Sequence, residues 1–206
     1  MSDSRKREPA APIAERVHAL EAALAAKRLI PEGFLEKRLA HAEENFDWRN
    51  GARVVARAWV DPAFRARLLA DGSGAGAELG FRAAGREYLV VLENTDAVHN
   101  AIVCTQCSCT AWSVIGLPPD WYKSPEYRAR LVREPRALLR SMGLDLPEEV
   151  AVRVWDTSGE TRYMVLPQRP AGTDGWSEDE LAALVTREAL IGVARVGLSS
   201  SAQGCL

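Results

Sequence analysis

The segment Cys104-Thr105-Gln106-Cys107-Ser108-Cys109 places three of the chain's four cysteines inside six residues. Thiolates held that close can surround one face of a single ion, and thiolate sulfur favours soft or borderline metals. Ordinary structural zinc sites use two separated cysteine pairs, and this sequence supplies no second pair. His18 and His41 sit far upstream, only His99 is near, and none has ligand spacing to another, so each reads as structural or solvated. The tripeptide Cys107-Ser108-Cys109 offers another way to fill a coordination sphere, through backbone nitrogen. From the Cys107 sulfur the chain runs to the Ser108 nitrogen and closes a six-membered chelate ring. The Ser108 and Cys109 nitrogens close a five-membered ring, and the Cys109 nitrogen closes another with its own sulfur. Cys104 is then placed to add an axial thiolate, with one site left open. Amide nitrogens bind only when deprotonated, which demands a strongly Lewis-acidic ion, so on this reading trivalent cobalt or iron is favoured over zinc. Two blander readings stay open here: a structural zinc-thiolate site, and a redox module whose thiols oxidise reversibly.

What must position these residues is a chain of 206 residues, 47% of them apolar, enough to bury a core as one domain of ordinary size plus an extension. A net charge of −2 leaves no electrostatic footprint for nucleic acid or an anionic membrane. No apolar run approaches the roughly 20 residues that span a bilayer, and the polar start has no apolar segment behind it to serve as a signal peptide. A cytoplasmic protein is expected. Clustered thiols in a reducing compartment fit a metal or redox site better than a disulfide framework, and Cys205 near the C-terminus reads as a free thiol.

The first third reads as helices. Ile13, Val17, Leu20 and Leu24 share one face of an Ala-rich helix to about Leu29, Pro31 opens a second, and Asn50 is a candidate cap for a third. Asp61-Pro62 restarts that helix towards Leu68. The stretch Asp71-Gly-Ser-Gly-Ala-Gly76 reads as a break, so residues 1–80 are expected to form a helical arm that packs on a partner subunit, and 81–206 an α+β metal-binding core. In the core, Tyr88 to Leu92 and Ala101 to Val103 read as strands. Ser124-Pro125 and Pro135 open helices. Val150 to Trp155 and Tyr163 to Leu166 read as a hairpin about Thr157-Ser-Gly-Glu160, and Ser177 with Glu180 forms a capping box for a final helix. Arg128, Arg130, Arg133 and Arg136 read as a solvated helix face. Trp121, Trp155 and Trp176 read as packing residues.

The loop and its flanks resemble the metal-binding α subunits of nitrile hydratases, whose loop follows the pattern Cys-Ser/Thr-Leu-Cys-Ser-Cys. The likeness runs from about residue 87 to 195. It includes Val91-Leu-Glu-Asn-Thr95, His99-Asn100, Gly116-Leu-Pro-Pro119, Trp121-Tyr-Lys-Ser124, Arg133-Glu-Pro-Arg136, Arg153-Val-Trp-Asp156 and the stretch from Glu160 to Thr173. The resemblance implies a four-layer α-β-β-α arrangement. It also implies that Cys104, Cys107 and Cys109 ligate through sulfur, and Ser108 and Cys109 through backbone nitrogen. Cys107 and Cys109 would carry sulfinate and sulfenate oxygens. Thr105 stands where threonine accompanies cobalt enzymes and serine iron enzymes, so one cobalt(III) per chain is expected, with iron(III) as the alternative. The implied reaction is hydration of a small nitrile to its amide, the ion acting as a Lewis acid on nitrile or water, or the oxidised Cys109 oxygen attacking the nitrile carbon. Nothing in the loop supplies an acyl-enzyme nucleophile of the Ser-His or Cys-His kind. A β subunit would complete the site in an αβ heterodimer or α2β2 heterotetramer, with an activator protein loading the metal. Trp112 matches a tryptophan near the substrate channel, and Arg162 reads as an outer-shell residue. Gln106 in place of leucine, Ser113 in place of proline and Gly85 in place of glutamine depart from the pattern and bear on substrate. The nearest rival is the metal-bearing subunit of a thiocyanate hydrolase, which shares the loop.

Overall fold

The computed structural model describes residues 12–31, 33–82, 87–107 and 109–198; Gly85, Ser108 and Cys205 lie outside them. Two compact units divide between Ala42 and Glu43. The first holds α1 (Ile13–Ala26) and the greater part of α2 (Phe34–Asn45), and neither helix has a buried residue. Ile13, Val17 and Leu20 do recur at helical spacing on α1, with their side chains exposed.

The division falls well before Gly80, where composition suggests it. Helices α3 (Trp48–Val60), α4 (Pro62–Ala70) and α5 (Gly72–Glu78) bury Val54, Val55, Phe64 and Leu68 in the core of the second unit. Apolar faces of this size need a mate, and these find one there. Three aspartates set the helix boundaries. Asp47 accepts from the Arg49 amide, Asp61 from Phe64 and Asp71 from Gly74, each at 2.9 Å. Asp61 and Asp71 each end one helix and cap the next. The cap at Asp71 outweighs the glycine-rich composition after it, so the expected break is a short helix. Gly72 is needed because a Cβ there would lie 2.4 Å from the Leu89 carbonyl oxygen. Asn50, the expected cap of α3, lies inside the helix and donates to the Ser113 carbonyl at 3.0 Å.

Among the described residues, four strands form two pairs, both parallel. β1 (Tyr88–Glu93) pairs with β4 (Thr161–Leu166), and β2 (Val98–Val103) with β3 (Ala151–Asp156). The class is α+β as expected, but β3 and β4 do not form a hairpin. Ser158 and Thr161 do close a turn, with the Ser158 amide donating to the Thr161 carbonyl at 3.2 Å, yet the turn hands the chain from one sheet to the other. Ala101-Ile102-Val103 and Met164-Val165-Leu166 are continuous buried apolar runs, which suit parallel strands covered on both faces. The crossover that parallel pairing requires is made by α6 (Trp112–Ile115), α7 (Asp120–Lys123), α8 (Pro125–Arg133) and α9 (Pro135–Ser141). α10 (Glu178–Leu184) starts on the Ser177-Glu180 capping box, and α11 (Arg187–Ile191) ends at Gly192 in the left-handed conformation.

A buried polar network joins the two sheets. The Asn94 side chain accepts from the Asn100 amide at 2.8 Å and donates to His99 Nδ1 at 3.2 Å. His99 Nε2 donates to the Gly192 carbonyl at 2.8 Å, a pattern that needs the neutral ring, and burial lowers the His99 pKa accordingly. Asn100 donates to the Glu93 carbonyl and accepts from Trp155 Nε1 at 2.9 Å. Of the arginines expected on a solvated face, Arg133 is exposed and Arg130 sits in i,i+4 pairs on the surface, whereas Arg136 turns to backbone carbonyls. Arg136 donates to the carbonyls of Leu146, Pro147, Glu148 and Val150, and Arg130 pairs with Glu126 and Glu134.

Gly51 lets α3 approach α6: a Cβ there would lie 2.2 Å from the Val114 carbonyl oxygen and 2.8 Å from Leu190 Cδ1. Gly51→Ala is therefore expected to lower the unfolding free energy by about 2 kcal/mol, read from urea denaturation; an unchanged midpoint would show that α3 can shift freely.

Candidate metal centre

Cys104 is the first residue after β2, where the buried run Ala101 to Val103 delivers its sulfur into the interior at 1% exposure. The chain then turns outward, leaving Cys107 exposed and Cys109 half-buried. The Cys104 and Cys107 sulfurs lie 3.4 Å apart, those of Cys107 and Cys109 2.7 Å apart, and all three fall within 4.8 Å of one another without a disulfide between them. The Cys107 amide donates to the Cys104 sulfur at 3.4 Å. The fold thus brings together the three cysteines whose spacing suggests a common ion. Ser108, the fourth expected ligand, lies outside the described residues.

The loop is held by groups that bond its backbone. Asp156, at the end of β3, accepts from the Thr105 amide at 2.9 Å and from the Thr105 hydroxyl at 2.5 Å. Arg128 on α8 donates to the Thr105 carbonyl at 3.2 Å. The Thr110 hydroxyl donates to the Gly116 carbonyl at 2.7 Å, and the Tyr122 hydroxyl to the Cys109 carbonyl at 3.2 Å. Burial pushes the Tyr122 phenol far above its ordinary range, so this hydroxyl stays a donor. Sequence gives no role to Asp156 or Tyr122, and Arg128, which reads there as part of a solvated helix face, instead bonds the loop. All three lie in segments carrying the resemblance or beside them, but their bonds to the loop depend on strand register and helix placement.

Burial, then the neighbouring Cys107 thiol, push the Cys109 thiol up to about 12, with the Arg162 charge opposing. Three thiolates cannot coexist in that space without a cation, and a soft or trivalent ion supplies the missing charge. The donor set therefore fits a thiophilic metal. Arg162, the outer-shell expectation, is buried on β4, donates to the Ser158 carbonyl and pairs with Glu87 at 3.1 Å. Trp112 opens α6 three residues beyond Cys109, and its ring packs on Phe46 at 5.2 Å between centroids while staying 38% exposed. Gln106 is exposed. Trp121 and Trp155 pack against the core as expected.

Comparison with known proteins places the site in context. The family described as nitrile hydratase, alpha chain, matches residues 11–194. A nitrile hydratase subunit alpha of a Rhodococcus species is 54% identical over 185 residues, covering 89% of this chain and 93% of the relative. A cobalt-containing nitrile hydratase subunit alpha of Pseudonocardia thermophila is 50% identical over 182 residues, covering 88% of this chain and 89% of the relative. Among solved structures, a double mutant of the Fe-type nitrile hydratase from Comamonas testosteroni Ni1 superposes with a TM-score of 0.87 at 46% identity, covering 94% of this chain and 95% of that one.

Cadmium titration of the metal-free chain, followed by thiolate-to-metal charge-transfer absorbance, is expected to saturate near one ion per chain. Asp156→Ala should weaken that binding by about 10- to 100-fold; equal affinity would remove Asp156 from any part in shaping the loop.

Proposed function

Because the chain belongs to the nitrile hydratase α-chain family, we propose that it is the metal-bearing subunit of a nitrile hydratase, a lyase that hydrates a nitrile to the corresponding amide. The observation that carries the reading is the gathering of the Cys104, Cys107 and Cys109 sulfurs within 4.8 Å on a loop whose backbone is held from several sides. In this reading Cys104, Cys107 and Cys109 hold the ion through sulfur, and Ser108 and Cys109 through backbone nitrogen. Cobalt(III) is preferred to iron(III), one per chain, on the strength of the cobalt-containing relative and of Thr105, whose hydroxyl engages Asp156. When bound, the ion supplies Lewis acidity toward a nitrile nitrogen or a water.

The chain's own residues do the rest. Cys107 as sulfinate and Cys109 as sulfenate would present oxygens at the mouth of the loop, the Cys109 oxygen being placed to attack a nitrile carbon. Burial of Cys109 limits water around it and holds its proton on in the absence of an ion, an effect that the Arg162 charge opposes. Trp112, with its ring braced on Phe46 and partly open to solvent, would line the approach for a small nitrile. The partner is a β subunit, in an αβ heterodimer or α2β2 heterotetramer, which completes the pocket and against which the exposed Ile13, Val17 and Leu20 of the N-terminal helices would pack. The four-layer α-β-β-α arrangement and an activator protein that loads the metal belong to the same reading. No helix among the described residues is long and apolar enough to cross a membrane; a cytoplasmic setting belongs to the same reading as the rest of the proposal.

Co-expression with the β subunit in cobalt-supplemented medium, followed by metal analysis and assay on small nitriles and thiocyanate, tests the proposal. About one cobalt per α chain with amide formation is expected, and Cys109→Ala should lower the rate by at least about 100-fold. Stoichiometric zinc without turnover would leave a structural thiolate site, and turnover of thiocyanate alone would make the protein a thiocyanate hydrolase subunit.

A further inference from the structure

The metal loop leaves the core through one stem at Ile102 to Cys104 and returns through another at Cys109 to Ala111. Each stem accepts a hydrogen bond from a buried tyrosine. Tyr127, in the first turn of α8 and 4% exposed, donates to the Ile102 carbonyl at 2.7 Å. Tyr122, on α7 and 0% exposed, donates to the Cys109 carbonyl at 3.2 Å. The two rings pack on each other at 5.4 Å, and Trp121 closes the cluster at 5.0 Å from Tyr127 and 6.0 Å from Tyr122. Both donors thus issue from one packed aromatic group, so the separation of the stems follows from distances inside that group.

We propose that Tyr122 and Tyr127 form a clamp that sets the opening of the metal loop, making Tyr122 a positioning residue for Cys109 relative to Cys104. The clamp deepens the metal-binding reading above and rests on it. Packing alone does not account for the arrangement, because phenylalanine would fill nearly the same volume; what the hydroxyls add is a tie to a stem carbonyl on each side of the thiols. Cys109 is where that tie matters most. Its carbonyl is the atom Tyr122 holds, while its sulfur and nitrogen are both assigned to the ion.

The test compares the wild-type chain with Tyr122→Phe, Tyr127→Phe and, as a purely structural control, Leu68→Ala, a cavity at a fully buried residue of α4, a helix that packs on α3, α5 and β1. Two readouts are taken: amide hydrogen exchange of the metal-free chain over 104–111, and the visible absorption spectrum of the cobalt-loaded complex with the β subunit. Tyr122→Phe is expected to speed exchange in this segment by about tenfold, the factor that loss of a single buried hydrogen bond allows, and to shift the cobalt bands; Tyr127→Phe should act in the same direction. Leu68→Ala should lower Tm more than either yet leave the segment and the spectrum unchanged. Unaltered exchange and spectrum in Tyr122→Phe would overturn the clamp, as would equal changes in Leu68→Ala. Absence of cobalt in the wild-type complex would instead strike the metal reading, and the exchange data would still decide whether the tyrosines hold the loop.

Discussion

Three sulfur atoms confined to less than 5 Å of one another are the constraint around which the rest of this structure is arranged. As thiolates they repel, and burial of Cys109 adds a desolvation cost, which is why its proton is held so firmly without an ion. Such a cluster cannot hold itself together, so the surrounding residues must hold it. They do so through the backbone: Asp156 on the Thr105 amide and hydroxyl, Arg128 on the Thr105 carbonyl, Tyr122 on the Cys109 carbonyl. These bonds go to the loop's amide, carbonyl and hydroxyl groups. Asp156 illustrates the logic, since a carboxylate facing the thiols directly would add to the repulsion, whereas one bonded to the loop's N–H and hydroxyl steadies the loop.

Strand pairing puts that carboxylate in place. Parallel register sets Val103 opposite Asp156, one residue before Cys104, and a slip by one position would turn Asp156 to the other face of its sheet. The register is pinned by a direct bond between Trp155 and Asn100, and Asn100 is tied in turn to Glu93 at the end of β1 and to Asn94 just after it. His99 extends the same network to the end of α11. The geometry of the thiol loop therefore depends on polar groups buried several residues away from it, and their full satisfaction is what makes them tolerable in the core.

The thiol cluster itself was legible, because Cys104, Cys107 and Cys109 are close in sequence and local spacing limits how far apart their sulfurs can lie. The Ser177-Glu180 capping box and the Asp-Pro and Ser-Pro helix starts were legible for the same reason, since a cap is a contact over three residues. The pairing of β3 and β4 was not. A turn at Ser158 looks the same in sequence whether its flanking strands pair with each other or with distant partners, and only the continuous apolar runs on β2 and β4 hinted at parallel, doubly covered strands. The place of α3 to α5 was misread because glycine at 72, 74 and 76 signals a break in isolation, whereas here close approach to β1 and the Asp71 cap keep the segment helical. Asp156 and Tyr122 stood in plain view as residues and acquired their meaning only from long-range register and packing.

The parallel topology also orders events in time. Each sheet joins segments far apart in the chain, β1 with β4 and β2 with β3, so neither can form until the second strand of its pair has been synthesised. The cysteines emerge from the ribosome with β2, long before β3 brings Asp156 and β4 brings Arg162. During that interval the loop's thiols belong to an unpaired strand with neither its anchoring carboxylate nor its nearby positive charge, and they are open to whatever oxidant or ion they meet first. The held geometry of the loop is thus a property of the completed fold, since Asp156 and Arg162 reach it only with β3 and β4.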